Sequence, residues 1–281
     1  MDQYLIAVVV GIVEGLTEFL PVSSTGHMII VGHLLGFDGN VADVFDVFVQ
    51  LGAILSVIFI YKERFTRFLT KDGWDPKKGL SVWHIAAGIV PVMLAGYFFY
   101  SYIKHYLFSP FTVAIGLALG GLLLMFAEYK TKGHEAELVD DVDKISIKQA
   151  MWVGIYQFLS LWPGFSRSGS TIAGGLLVGL TRSASANYTF LIAVPLMFVA
   201  CIYDLLKNIH ALSMDDLTIL AIGFVVSFVV AYWSVLWFLK FLHKYDLTSF
   251  AVYRILLACF TFWYFYMLSL IHISEPTRRV V

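Results

Sequence analysis

Apolar residues run long enough to cross a bilayer in six places, at about residues 43–61, 82–102, 110–129, 186–206, 216–240 and 248–270. A hydrocarbon core of ~30 Å needs ~20 such residues as a helix. Two further apolar regions, 3–36 and 150–181, are interrupted midway, at Pro21 to Gly26 and at Pro163 to Ser170. Irregular backbone at membrane depth is tolerated only where it is buried in protein or faces water. Each interrupted region therefore predicts a re-entrant pair: a short helix in, a polar turn, a short helix out. The fold expected is an all-α polytopic membrane protein, with residues 1–268 as one integral membrane domain. Residues 269–281 turn polar and contain Pro276, and are expected to form an atypical, poorly ordered tail.

The two interrupted regions share a design. Gly11-Ile12-Val13-Glu14 and Gly154-Ile155-Tyr156-Gln157 each lead through an apolar stretch to a proline. A Ser/Thr/Gly cluster follows, holding His27 in the first copy and Arg167 in the second. Each is followed by three full spans, which predicts repeats at about 1–130 and 148–268. Charge then sets orientation. Lys62, Arg64, Arg67, Lys71, Lys77 and Lys78 follow the first span, Lys130, Lys132, Lys144 and Lys148 the third, and Lys240 and Lys244 the fifth. The alternate connections carry little beyond Lys104 and Lys207. The basic set belongs in the cytoplasm. The first broken element then enters from the outer side and the second from the cytoplasm, an inverted-topology repeat whose site lies near the midplane. Glu14, Glu18, His27 and Arg167 are expected to converge there.

Composition agrees with the membrane reading: 59% of the 281 residues are hydrophobic and 14% charged, against roughly 25% charged in soluble domains. A net charge of −1 gives no reason to expect nucleic acid as a partner. Cys201 and Cys259 lie in apolar runs, without disulfide or metal-ligand spacing. No Gly-x-x-x-x-Gly-Lys-(Ser/Thr) loop is present, so no nucleotide cofactor is expected. Met1-Asp2-Gln3 lacks the cationic flank of a signal peptide, and no cleavage is expected.

Ionisable groups at membrane depth are costly and usually functional. Glu14 and Glu18 stand at i,i+4, so both carboxylates face one way; they suit proton handling or a divalent cation, or else are satisfied by Arg and Ser partners. Gly164 and Gly169 let backbone amides approach an anion, and Ser166, Ser168 and Thr171 add hydroxyl donors. Arg167 offers a planar fork for phosphate oxygens, or a structural pair for Glu14 or Glu18. In the matching turn Ser23, Ser24 and Thr25 supply hydroxyls. Ser24 is the preferred nucleophile, with His27 as the other nucleophile or acid/base candidate. Gln50 lines the site or packs on a helix, and Arg254 pairs with an acid or snorkels.

The stretches Glu14 to His27 and Pro163 to Thr171 closely resemble the two signature elements of the undecaprenyl-diphosphate phosphatase family, the bacterial bacitracin-resistance proteins. The resemblance covers about residues 1–268, including Gln50-Leu51-Gly52; the tail beyond Leu270 matches nothing in the family. It implies hydrolysis of the isoprenoid diphosphate left after cell-wall polymerisation, releasing phosphate and regenerating the monophosphate carrier. By the resemblance Glu14 and Glu18 form the catalytic acidic pair, Ser24 is the candidate nucleophile beside His27, and Arg167 with Ser166, Ser168 and Thr171 clamps the diphosphate. Attack by a water activated by the glutamates is the alternative route. The resemblance also implies aid from a divalent cation, magnesium or calcium, for which Glu14 and Glu18 are the only ligands on offer. The expected setting is the bacterial cytoplasmic membrane, with the site open to the outer side and a polyprenyl diphosphate lipid as partner. The competing function is a carrier that flips the lipid phosphate, since inverted repeats with a midplane anion site also serve alternating access.

Overall fold

A computed structural model describes residues 2–37, 40–107, 109–208 and 214–274. The first half contains α1 (Gln3–Thr17), α2 (Ser24–Leu35), α3 (Asn40–Ile60), α4 (Lys62–Phe68), α5 (Val82–Tyr106) and α6 (Pro110–Thr131). The second contains α7 (Ile147–Tyr156), a 3₁₀ turn (Gln157–Leu161), α8 (Arg167–Leu177), α9 (Arg182–Asn208), α10 (Met214–Leu242) and α11 (Thr248–Ser274). Among the described residues the only β-pairing is an isolated bridge between Val139 and Leu180. The all-α expectation holds. Helix α11 continues to Ser274, and residues 275–281 of the expected polar tail lie outside the described residues.

Local chemistry sets these boundaries. Ser109 caps α6 with Thr112 in a reciprocal box and Pro110 occupies the first turn; Ser146 and Gln149 form the same kind of box for α7. Gly36, at φ 60°, ends α2 in the left-handed conformation. Among the described residues five helices are long and apolar enough to span a membrane, and α3 joined to α4 makes six, with an 84° bend between them. That bend carries Lys62, Arg64 and Arg67 off the axis of the span.

Two interrupted elements, α1–α2 and α7–α8, thus each precede three spans. Their packing is exchanged between halves: α1 lies along α10, and α7 along α5. Swapping α1 with α7, α5 with α10, α6 with α11 and α3 with α9 converts one pair into the other. The same swap maps the observed α6–α11 and α3–α9 contacts onto themselves. Helices in lipid gain little from hydrophobicity alone and pack closely through small residues. A Cβ on Gly15 of α1 would stand 2.8 Å from Val230 Cβ of α10, and one on Gly154 of α7 2.6 Å from the Gly88 carbonyl of α5. A valine at either position would push its helix pair apart. Phe19, Ile172, Phe190 and Phe238 fill the main core, Phe19 standing edge-on to Phe190 at 5.5 Å.

The basic loops gather at one end. Asp143, before α7, accepts from Arg64 Nη1 at 2.5 and 2.6 Å and from the Leu80 amide at 2.9 Å. Glu128 of α6 holds Arg182 at the start of α9 (2.6 Å) and the Leu247 amide after α10 (2.9 Å). At the other end Ile6, Val10, Val44, Phe45, Ile219 and Leu220 bring together the starts of α1, α3 and α10. The element α7–α8 therefore begins and ends at the basic end, and α1–α2 at the opposite one.

Candidate active site

The turns of the two broken elements have the same construction. Ser23 (φ 71°) and Ser166 (φ 70°) both adopt the left-handed backbone region that side chains rarely occupy. Each then caps the helix it precedes: Ser23 Oγ accepts from the Gly26 amide at 3.4 Å, and Ser166 Oγ from the Gly169 amide at 3.1 Å. Such strain, of order ~1–3 kcal/mol per residue, persists only where the surroundings enforce it. Here the enforcement is visible. Ser168 Oγ donates to the Leu20 carbonyl of the opposite turn at 2.7 Å. Gly164 (φ 88°) lets the second turn press on the backbone of Val113 in α6.

Arg254 of α11 completes the clasp. Its guanidinium donates to the carbonyls of Phe165 (2.6 Å) and Gly164 (3.2 Å) in one turn and of Pro21 (3.5 Å) in the other. The side chain is fully buried. Among the described residues it neither pairs with an acid nor snorkels, which corrects both alternatives read from the sequence. An arginine inside a span was the available signal; its partners, being backbone carbonyls, leave no signature in the chain.

Where the turns meet, Glu18 is shared. Its Oε2 accepts from Ser24 Oγ at 2.5 Å, and its Oε1 from Arg167 Nη2 at 2.8 Å. The Arg167 guanidinium lies over the Phe19 ring, 5.6 Å from its centre, and also touches Met197 Sδ at 2.9 Å. Its Nη1 is buried without a hydrogen-bond partner. Glu18, Ser24, Arg167 and Met197 border a cavity of about 360 Å³ that also meets Ser23, Thr25, Gln50, Gly164 and Ser166. A second cavity of about 540 Å³ shares Ser24, Thr25 and Gln50 with the first and is bordered by Glu14, His33 and Asp46. Asp46, a carboxylate near the start of a span that was not singled out from sequence, faces the same cavity as Glu14.

A resident magnesium or calcium ion is poorly matched by this donor set. Glu18 has both oxygens engaged, and Glu14 offers one oxygen, Oε1, that is buried and without a partner. Among the described residues no group of three or more His, Cys, Asp or Glu stands together as metal ligands. The protein by itself supplies less than the several oxygens such ions require.

Of the candidates named from sequence, Glu18, Ser24 and Arg167 are in direct contact, and Ser23, Thr25, Gln50, Gly164 and Ser166 border their cavity. Glu14 borders the neighbouring one. His27 is turned away: its Nδ1 meets the Ser23 carbonyl at 2.8 Å and its Nε2 the Tyr253 hydroxyl at 2.6 Å, and it borders neither cavity. Ser168, Gly169 and Thr171 are buried in the clasp rather than open to the cavity, Thr171 Oγ1 donating to the Arg167 carbonyl at 2.8 Å. Gln157, which takes the place of Glu14 in the second copy, is buried with neither amide atom hydrogen-bonded.

A family model described as bacitracin resistance protein BacA matches residues 7–260. Among curated relatives, undecaprenyl-diphosphatase 1 of Bacillus thuringiensis (strain Al Hakam) is 46% identical over 259 residues, covering 92% of this chain and 97% of the relative. The proteins of that name from Bacillus cereus and Bacillus anthracis are 46% and 45% identical over the same lengths.

Proposed function

The chain belongs to the bacitracin resistance protein family, and from that premise we infer that it is an undecaprenyl-diphosphate phosphatase. It is a multi-pass membrane hydrolase that converts the lipid diphosphate to the monophosphate carrier and inorganic phosphate. The carrier-flipping alternative is not favoured, because the relatives are named for hydrolysis.

One observation supports the mechanism most directly: Glu18 joins Ser24 and Arg167 on the border of one cavity. Ser24 Oγ attacks the terminal phosphorus and passes its proton to Glu18, which already accepts that hydrogen bond. The bond from phosphorus to the bridging oxygen breaks, that oxygen takes the proton from Glu18, and undecaprenyl phosphate leaves with Glu18 ionised again. Water then attacks the phosphoserine, Glu18 assists as base, and phosphate departs with Ser24 restored. Arg167 stabilises charge on the transferring group, which is usually the largest catalytic contribution. Its unpartnered Nη1 is available for a phosphate oxygen. The aromatic floor of Phe19 and the ion pair with Glu18 hold the guanidinium in place.

The halves form an inverted-topology repeat in the bacterial cytoplasmic membrane, with the site reached from the outer side. The exchanged packing of α1–α10 and α7–α5 supports the repeat, and the collection of basic loops at one end supports the orientation. Phosphate release from undecaprenyl diphosphate by purified protein in detergent tests the activity. Wild type is expected to release phosphate and Arg167→Ala to release essentially none; near-normal turnover by that variant overturns the mechanism.

A further inference from the structure

The cavity that holds Glu18, Ser24 and Arg167 has two unlike walls. The polar wall is made by the two turns. The opposite one is apolar, with Val92, Met93 and Gly96 from α5 and Leu196, Met197 and Ala200 from α9. It is not sealed from the membrane: Met93 is 39% exposed, and Ala200 is exposed too. Their neighbours Leu94, Tyr97 and Val199 are more than half exposed, as expected of a surface facing lipid.

Gly96 is unlike the glycines that seat helix against helix. A Cβ on Gly15, Gly88, Gly116 or Gly154 would collide with a neighbouring element, whereas one on Gly96 would meet a single atom, Leu161 Cδ2, at 3.7 Å. Close packing therefore does not explain its smallness; the space beside it belongs to the cavity. Met197 links the two walls, because it lines the apolar side while its Sδ touches the Arg167 guanidinium. A group leaving the phosphate clamp along Met197 passes directly between α5 and α9.

We propose that the gap between α5 and α9 is the lateral doorway for the isoprenoid tail, and that Gly96 and Ala200 set its width. The proposal deepens the phosphatase reading and rests on it. The diphosphate enters the clamp with its tail still in the bilayer, so the lipid is not extracted. The tail lies along Met93 and Met197, whose flexible thioethers adapt to a repeating chain.

The test compares undecaprenyl diphosphate with dimethylallyl diphosphate, whose short chain fits inside the cavity, on full-length Gly96→Leu and Ala200→Phe proteins in detergent. Wild type must release phosphate for the comparison to exist; if it does not, the phosphatase reading itself has failed. The expected result is a rise of tenfold or more in KM for the long substrate, with a several-fold smaller loss of kcat/KM for the short one. Equal loss on both substrates, or no loss on either, overturns the doorway. A second measurement avoids any folding defect in the variants. Unmodified protein is irradiated with a polyprenyl diphosphate carrying a photoreactive group in its first isoprene units. Adducts on Met93 or Met197 are expected, and adducts confined to the other cavity or to other helices overturn it.

Discussion

Ser23 and Ser166 hold the same left-handed backbone conformation, at φ 71° and 70°, and each caps the helix that follows with its own hydroxyl. The same residue thus carries a backbone cost and a capping gain, and substitutions separate them. Ser166→Ala removes the cap and keeps the strain, for a loss of about 1 kcal/mol or more. Ser166→Gly also loses the hydroxyl but relaxes φ, since glycine occupies this region freely. Thermal unfolding in detergent is expected to rank the glycine variant above the alanine one. An alanine variant as stable as the glycine one means the conformation carries no strain.

Arg254 is expected to control activity without touching substrate. Its three carbonyl partners belong to both turns, so its loss frees the clasp that brings Ser24 and Arg167 to Glu18. Each buried carbonyl left without a donor costs about 1–3 kcal/mol. Arg254→Lys keeps the charge but lacks the fork that reaches several carbonyls at once. Both Arg254→Lys and Arg254→Met should lower kcat by tenfold or more, with KM changed less. A lysine variant with wild-type kcat removes the positioning role.

The broken elements were legible because Pro21, Pro163 and the serines beside them interrupt otherwise apolar runs, and proline at membrane depth has few explanations. The convergence of Glu18 with Arg167 was legible from charge, because the basic loops turn one element over relative to the other. Arg254 was not, since an arginine bound to carbonyls looks in sequence like one bound to an acid. Nor was the direction of His27. It stands three residues from Ser24 and four from Ser23, and it is the latter spacing that wins: the ring bonds back to the Ser23 carbonyl and stacks near Tyr253. Ser168 and Thr171 read as phosphate donors, yet their hydroxyls satisfy backbone carbonyls, a use that spacing alone does not separate from ligand binding.

That geometry distinguishes the two nucleophile candidates. An acid/base residue in the reaction contributes typically ~10²–10⁴-fold. His27 borders neither cavity, so His27→Gln is expected to lower turnover by less than about tenfold. Ser24→Ala should lower it by ~10³-fold or more and abolish any phosphate adduct found by mass spectrometry after rapid quenching. Turnover by Ser24→Ala close to that of wild type would point instead to direct attack by water.

Both oxygens of Glu18 already accept hydrogen bonds from Ser24 and Arg167, so a cation held by Glu14 and Glu18 is expected to need oxygens from the substrate as well. Divalent ions commonly complete their shells with substrate phosphates. Calorimetric titration of substrate-free protein with magnesium or calcium should therefore show no saturable binding below the millimolar range. Addition of a non-hydrolysable diphosphate should create binding, and Glu14→Gln should weaken it. Tight binding to the substrate-free protein contradicts this.

At the basic end, Asp143 ties the segment after α4 to the one before α7. Burial alone raises its carboxyl, but hydrogen bonds from Arg64 and the Leu80 amide, with the charges of Arg64 and Arg67, overcome that and hold it below the usual range. A carboxyl lowered by folding contributes stability that is complete above its unfolded value, ~3.9, and is lost as pH falls through the folded one. Wild type should therefore unfold at a higher temperature than Asp143→Asn at neutral pH, by a modest margin, because the pair is partly exposed. Between pH ~7 and ~5 the margin should hold, and below ~4 it should shrink toward zero. Phosphate release at neutral pH should be unchanged in the variant, since Asp143 borders neither cavity. A margin that stays constant down to pH ~3 would show that Asp143 is not charged in this contact.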